Sequence, residues 1–135
     1  MLLMMQRATL HGFTVTQTQL HHADSIMLDP EVMELAGILP YEQVQIANGS
    51  NGEHFVTIVQ AAARGSGICS LNGAAARNAQ PGDLITVTAH ALVAPSEACD
   101  LTPTIVTVDE HNRPMLLVDP AENNLWSEIM EIEGY

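Results

Sequence analysis

Lysine is absent from the 135-residue sequence, and all four basic residues are arginines: Arg7, Arg64, Arg77 and Arg113. With no side-chain primary amine, the chain has no means of holding pyridoxal phosphate or a carbonyl substrate through a lysine Schiff base. A P-loop lysine is excluded on the same ground. Sixteen acidic residues stand against the four arginines, a formal net charge of −12 with histidine neutral. That balance does not suit a surface that tracks nucleic-acid phosphates. Anionic small molecules would meet a repulsive overall field and need a local arginine, histidine or helix N-terminus. Cysteine is also scarce: Cys69 and Cys99 form neither a disulfide framework nor a CxxC metal motif. Cys69, in the apolar run from Ile68 to Leu71, reads as a small buried hydrophobe. Long apolar runs are missing, and Met1-Leu2-Leu3-Met4-Met5 is too short for a signal core or a membrane span. The expectation is a cytoplasmic protein with no membrane or nucleic-acid partner.

What remains is a folded globular chain, 47% hydrophobic and 15% charged, of a length that suits one domain. Residues 8–18 alternate and are rich in Thr, Val and Phe, which predicts a strand. Asp29 to Gly37 predicts a helix, with Asp29 as N-cap, Pro30 at the first position, an apolar stripe of Val32, Met33, Leu35 and Ala36, and Gly37 as the left-handed stop. Strands are predicted at Gln43–Asn48 and Glu53–Ala63, joined by the turn-forming Asn48-Gly49-Ser50-Asn51-Gly52. Others follow at Gly67–Leu71, Leu84–Val93, Thr104–Val108 and Pro114–Val118. Many short strands and one short helix point to a small closed β-barrel over residues 1–118. Residues 119–135 differ. They carry Asp119, Glu122, Glu128, Glu131 and Glu133, with Leu125, Trp126, Ile129, Met130 and Ile132 at near-helical spacing. This reads as an acidic amphipathic C-terminal extension.

Three features bear on chemistry. The run Leu20-His21-His22-Ala23-Asp24-Ser25 gathers imidazoles, a carboxylate and a hydroxyl, a combination that serves a nucleophile or a surface turn. In Leu71-Asn72-Gly73-Ala74-Ala75-Ala76, a glycine and three small residues let backbone N–H groups approach a ligand, or make a tight strand-to-helix turn. Six histidines (His11, His21, His22, His54, His90, His111) show no HExxH and no metal-ligand spacing.

In order, these pieces resemble the pyruvoyl-dependent aspartate 1-decarboxylase family, from about Ala8 to about Met115. The resemblance is carried by Leu10-His11, Val15-Thr16, Leu20-His21, Ser25, Asp29, Ala36-Gly37-Ile38-Leu39, Asn51-Gly52, Phe55, Thr57, Ala61-Ala62, Arg64-Gly65-Ser66, Ser70, the Asn72–Ala76 stretch and Gly82-Asp83. It implies a mainly β fold, a small six-stranded double-psi β-barrel with short helices, assembled as a homotetramer with active sites between subunits. It also implies self-cleavage between Asp24 and Ser25, which turns Ser25 into a pyruvoyl group and makes lysine and pyridoxal phosphate unnecessary. Thr57 matches the threonine that assists this rearrangement. Asn72, Gly73, Ala74 and Ala75 match the pocket lining, and His11 matches as well.

Six positions depart from the family pattern. Asp24 replaces a glycine, His22 a tyrosine, His54 the arginine that holds the substrate carboxylate, Ile58 the proton-donating tyrosine, Ala47 a tryptophan and Thr9 the pocket lysine. The expectation is therefore an amino-acid decarboxylase whose substrate need not be aspartate. Its catalytic candidates are Ser25, Asp24, Thr57, His11, and His22 or His54 as proton donor. Thr9, Ile58, Asn72, Gly73, Ala74 and Ala75 are expected to line the substrate site. The rival reading is an uncleaved paralogue in which His11, His22, His54 and Asp24 perform acid–base or metal-dependent chemistry or the pocket binds a small ligand. A third is a structural or regulatory subunit.

Overall fold

A computed structural model describes residues 1–118; the acidic segment 119–135, expected to be an amphipathic extension, lies outside the described residues. Among the described residues nine strands form one sheet: β1 (Leu3–Thr14), β2 (Gln17–Gln19), β3 (Ser25–Leu28), β4 (Gln43–Asn48), β5 (His54–Ala61), β6 (Cys69–Asn72), β7 (Leu84–Val93), β8 (Thr104–Val108) and β9 (Pro114–Val118). Two short helices, α1 (Pro30–Ala36) and α2 (Pro95–Ala98), and a 3-10 segment at Gly73–Asn78 complete the fold. None of these helices is long and apolar enough to cross a membrane.

The strand order β2-β6-β3-β5-β4-β7-β1-β8-β9 closes on itself, because β1 and β2 are one strand interrupted only at Val15 and Thr16. At that break the Val15 N–H donates to the Asp83 carbonyl and the Thr16 N–H to the Cys69 carbonyl. The strand thereby changes neighbours, from β7 on one side to β6 on the other. The result is a six-membered ring of β1/β2, β6, β3, β5, β4 and β7, the mainly β barrel the sequence implied. Two of its pairings are parallel, β2 with β6 and β3 with β5, so both need crossover connections. Outside the ring, β8 lies parallel to β1, and β9 runs antiparallel to β8.

Inside the ring the core is aliphatic around Phe13, the one fully buried aromatic among the described residues, with Leu10, Val15, Ile26, Leu28, Val44, Ile46, Val59, Leu71 and Ile85. Burying each contributes about 1.5–3 kcal/mol before entropy is counted. The β4–β5 hairpin is closed by its asparagines, as its composition predicts. Asn48 Oδ1 accepts from the Ser50 N–H and Asn51 Oδ1 from the Glu53 N–H, each at 2.9 Å.

Helix α1 forms where expected and is built into the barrel through its cap. Asp29 Oδ1 accepts from the Glu31 N–H at 3.0 Å, while Oδ2 accepts from the Gly67 N–H at 3.2 Å. Burial works against the Asp29 charge, but N–H donors from Glu31, Gly65 and Gly67, together with the Arg113 guanidinium, hold its pKa below the ordinary aspartate value. Gly37 ends the helix at φ +70°. Two elements were not legible in the sequence, β3 and α2, whereas the 3-10 segment after β6 is the strand-to-helix turn that Leu71–Ala76 offered. The first strand also begins earlier than expected, taking in the opening methionines.

Candidate active site

Strand β3 carries the site, because it runs through the ring between β6 and β5 and begins at Ser25. Residues 21–24 before it are exposed, whereas Ser25 is only 1% exposed, so the chain dives inward at the Asp24–Ser25 bond. Antiparallel pairing sets Ser25 opposite Asn72, itself buried. Asn72 Nδ2 donates to Ser25 Oγ at 3.1 Å, and Ser25 Oγ donates to the Ala23 carbonyl at 3.0 Å. Behind Asn72, Ser70 Oγ donates to Asn72 Oδ1 at 2.7 Å. The sequence reading gave Ser70 no role. The signal available was its spacing, since residues two apart on a strand share a face.

Gly73 brings the next segment against the same bond. Its φ is +64°, and a Cβ there would lie 2.6 Å from the His22 carbonyl oxygen and 2.7 Å from the Asp24 nitrogen. Only glycine permits so close an approach. One turn on, the Ala75 N–H donates to Asp24 Oδ1 at 3.1 Å. In the intact chain, then, the carboxylate of Asp24 occupies a backbone donor of the loop that the sequence assigned to ligand binding. Ala75 is buried and Ala74 exposed.

Thr57 approaches from the other flank. In the parallel pairing Ile26 faces Val59, and Thr57 lies two residues before Val59 on β5. Among the described residues, Thr57 Oγ1 is the one buried side-chain polar atom left without a hydrogen-bond partner. Such an orphan costs about 1–3 kcal/mol and marks a group kept for something other than stability.

The remaining candidates lie on β1, on β5 and in the turn before β3. His11 lines a separate cavity of about 290 Å³ with Gly12, Ser50 and Leu84, its Nδ1 3.5 Å from Thr86 Oγ1. Thr9 is buried on β1, its hydroxyl accepting from the Gln6 amide. His54 opens β5 in an exposed position opposite Ala47, and Ile58 is half-buried on the same strand. His22 lies in the exposed turn before β3. Among the described residues, no group of three or more His, Cys, Asp or Glu side chains could hold a metal ion. Cys69 offers no alternative nucleophile, because burial pushes its thiol pKa up to about 12.

The aspartate decarboxylase family model matches residues 1–115. A protein of Maricaulis maris named aspartate 1-decarboxylase is 49% identical over 113 residues, covering 84% of this chain and 93% of its own length. Its namesake in Pelotomaculum thermopropionicum is 45% identical, over 84% of this chain and 86% of the relative. A third, from Chloroherpeton thalassium, is 40% identical over 127 residues, covering 94% of this chain and 93% of the relative. The family match over residues 1–115 and the 40–49% identity to these relatives place the chain in the aspartate decarboxylase family.

Proposed function

We infer that the chain cleaves itself between Asp24 and Ser25 and that the pyruvoyl group so formed decarboxylates a small amino acid. The observation that carries this reading is the Ser25 hydroxyl: buried, hydrogen-bonded by Asn72, and on the strand beside the unpartnered Thr57 hydroxyl. Ser25 Oγ attacks the carbonyl carbon of Asp24. The C–N bond then breaks, the hydroxyl proton passes to the freed amine, and an ester remains. Loss of the Ser25 Cα proton next breaks the Cβ–O bond and expels Asp24 as a carboxylate, leaving a dehydroalanine. Its imine tautomer takes up one water and releases ammonia, so that residue 25 ends as a pyruvoyl group.

Thr57 suits the first step, since a free buried O–H can donate to the oxyanion that develops on the Asp24 carbonyl. Asn72 holds the nucleophile in place. Cleavage also severs the chain that keeps the Asp24 carboxylate on the Ala75 N–H. The pyruvoyl group supplies an electron sink for the carbon that loses carbon dioxide, which a chain without lysine cannot obtain from a lysine-bound cofactor. Asn72, Thr57 and the backbone of Ala74 and Ala75 are the groups that would surround it.

Aspartate, named in the relatives, is the reference substrate. The positions expected to bind its carboxylates are Thr9 and His54, and a bidentate arginine contact of that kind is worth about 1.5–3 kcal/mol. We therefore assign a less anionic amino acid as the better substrate. Assembly into a homotetramer is part of this reading, supported by a face bearing exposed Met4, Val56 and Leu92 beside Val44 and His90. The test is carbon dioxide release from aspartate and from neutral amino acids, with cyanoborohydride added in a parallel reaction. The expected result is release, with the amino acid reductively fixed to the chain that begins at residue 25. Neither release nor fixation with any amino acid would contradict the reading.

A further inference from the structure

Ser70 and Asn72 lie two apart on β6, both buried, at 0% and 1% exposure. An asparagine amide has nearly the same shape with its oxygen and nitrogen exchanged, so neighbours must decide which end faces where. At Ser25 the choice matters. The Ala23 carbonyl is purely an acceptor, so the Ser25 proton is directed to it. The group facing the Ser25 oxygen must then be a donor, which is Asn72 Nδ2. That leaves Oδ1 on the far side, where Ser70 donates to it at 2.7 Å. We propose that Ser70 is a positioning residue for the cleavage at Asp24–Ser25, locking the Asn72 amide with its nitrogen toward the nucleophile. This rests on the processing reading above.

Without the Ser70 hydroxyl, Oδ1 has no donor and the amide is free to turn. Turned, it presents an acceptor to Ser25, which draws the hydroxyl proton away from Ala23 and reorients the oxygen. Ser70→Ala removes one oxygen atom and adds no bulk, so the barrel should stay folded, which thermal melting checks. The expected result is cleavage at least about tenfold slower than wild type, with Ser70→Cys, a weaker donor of similar size, recovering part of the rate. Hydrogen exchange of the Asn72 side-chain amide, followed by NMR, should quicken by a similar factor in Ser70→Ala. Cleavage at the wild-type rate, or unchanged exchange, overturns the proposal. If wild type itself stays whole in the same incubation, the processing reading is what fails, and the exchange comparison still decides whether Ser70 fixes Asn72.

Discussion

Thr57 carries its hydroxyl into the barrel wall and leaves it without a partner. For stability alone, valine would serve better at this position, because it has the same shape and no polar atom to desolvate. Thr57→Val should therefore leave the melting temperature unchanged or raise stability by on the order of 1 kcal/mol, while slowing cleavage at least tenfold. Opposite signs in the two measurements are the signature of a group retained for chemistry. A variant that is destabilised yet cleaves normally would assign Thr57 to the fold instead. Asp24 is the complementary case. Its carboxylate already has a donor in Ala75, so the side chain before Ser25 is tied to the wall of the site rather than standing as a free base.

Among the elements, α1 depends on a single cap. Asp29 serves both the helix and the Gly67 loop, and its pKa is depressed in the folded chain. A depressed carboxylate stabilises the fold above its unfolded pKa, about 3.9, and that contribution is lost as pH falls through the folded value. Asp29→Asn should cost about 1–3 kcal/mol at neutral pH. The gap to wild type should shrink below about pH 4. Denaturant melts of both chains across pH check this, and a gap that stays constant into acid would contradict it.

This helix was legible in the sequence because Asp, Pro and Gly each act locally, and so was the β4–β5 hairpin, for its asparagines and glycines. Strand β3 was not, since four residues after the run His21-His22-Ala23-Asp24 carry no period long enough to read. Ser70 was hidden for a related reason. All four residues of β6 are buried in the closed ring, so no alternation of exposure separates its faces. The family resemblance pointed to Ser25, Thr57 and Asn72, which lie on the neighbouring strands β3, β5 and β6. Spacing along the chain, by itself, says nothing about which of the histidines share a pocket.

At the scale of the molecule, the ring brings β6, β3 and β5 side by side, and with them Asn72, Ser25 and Thr57 from positions far apart in sequence. Three of the four arginines gather around α1: Arg7 is paired with Glu42, Arg64 with Glu34, and Arg113 faces Asp29 and Glu31. Three of the four arginines of a chain with net charge −12 thus serve its fold. The lack of lysine bears on the same question, because a carbonyl cofactor made from the backbone would need no lysine amine to hold it. Intact-mass analysis of the purified chain tests that most directly. The account expects two species, residues 1–24 ending in the Asp24 carboxylate and residues 25–135 lighter by one ammonia than simple hydrolysis would give. A single full-length chain after prolonged incubation would contradict it.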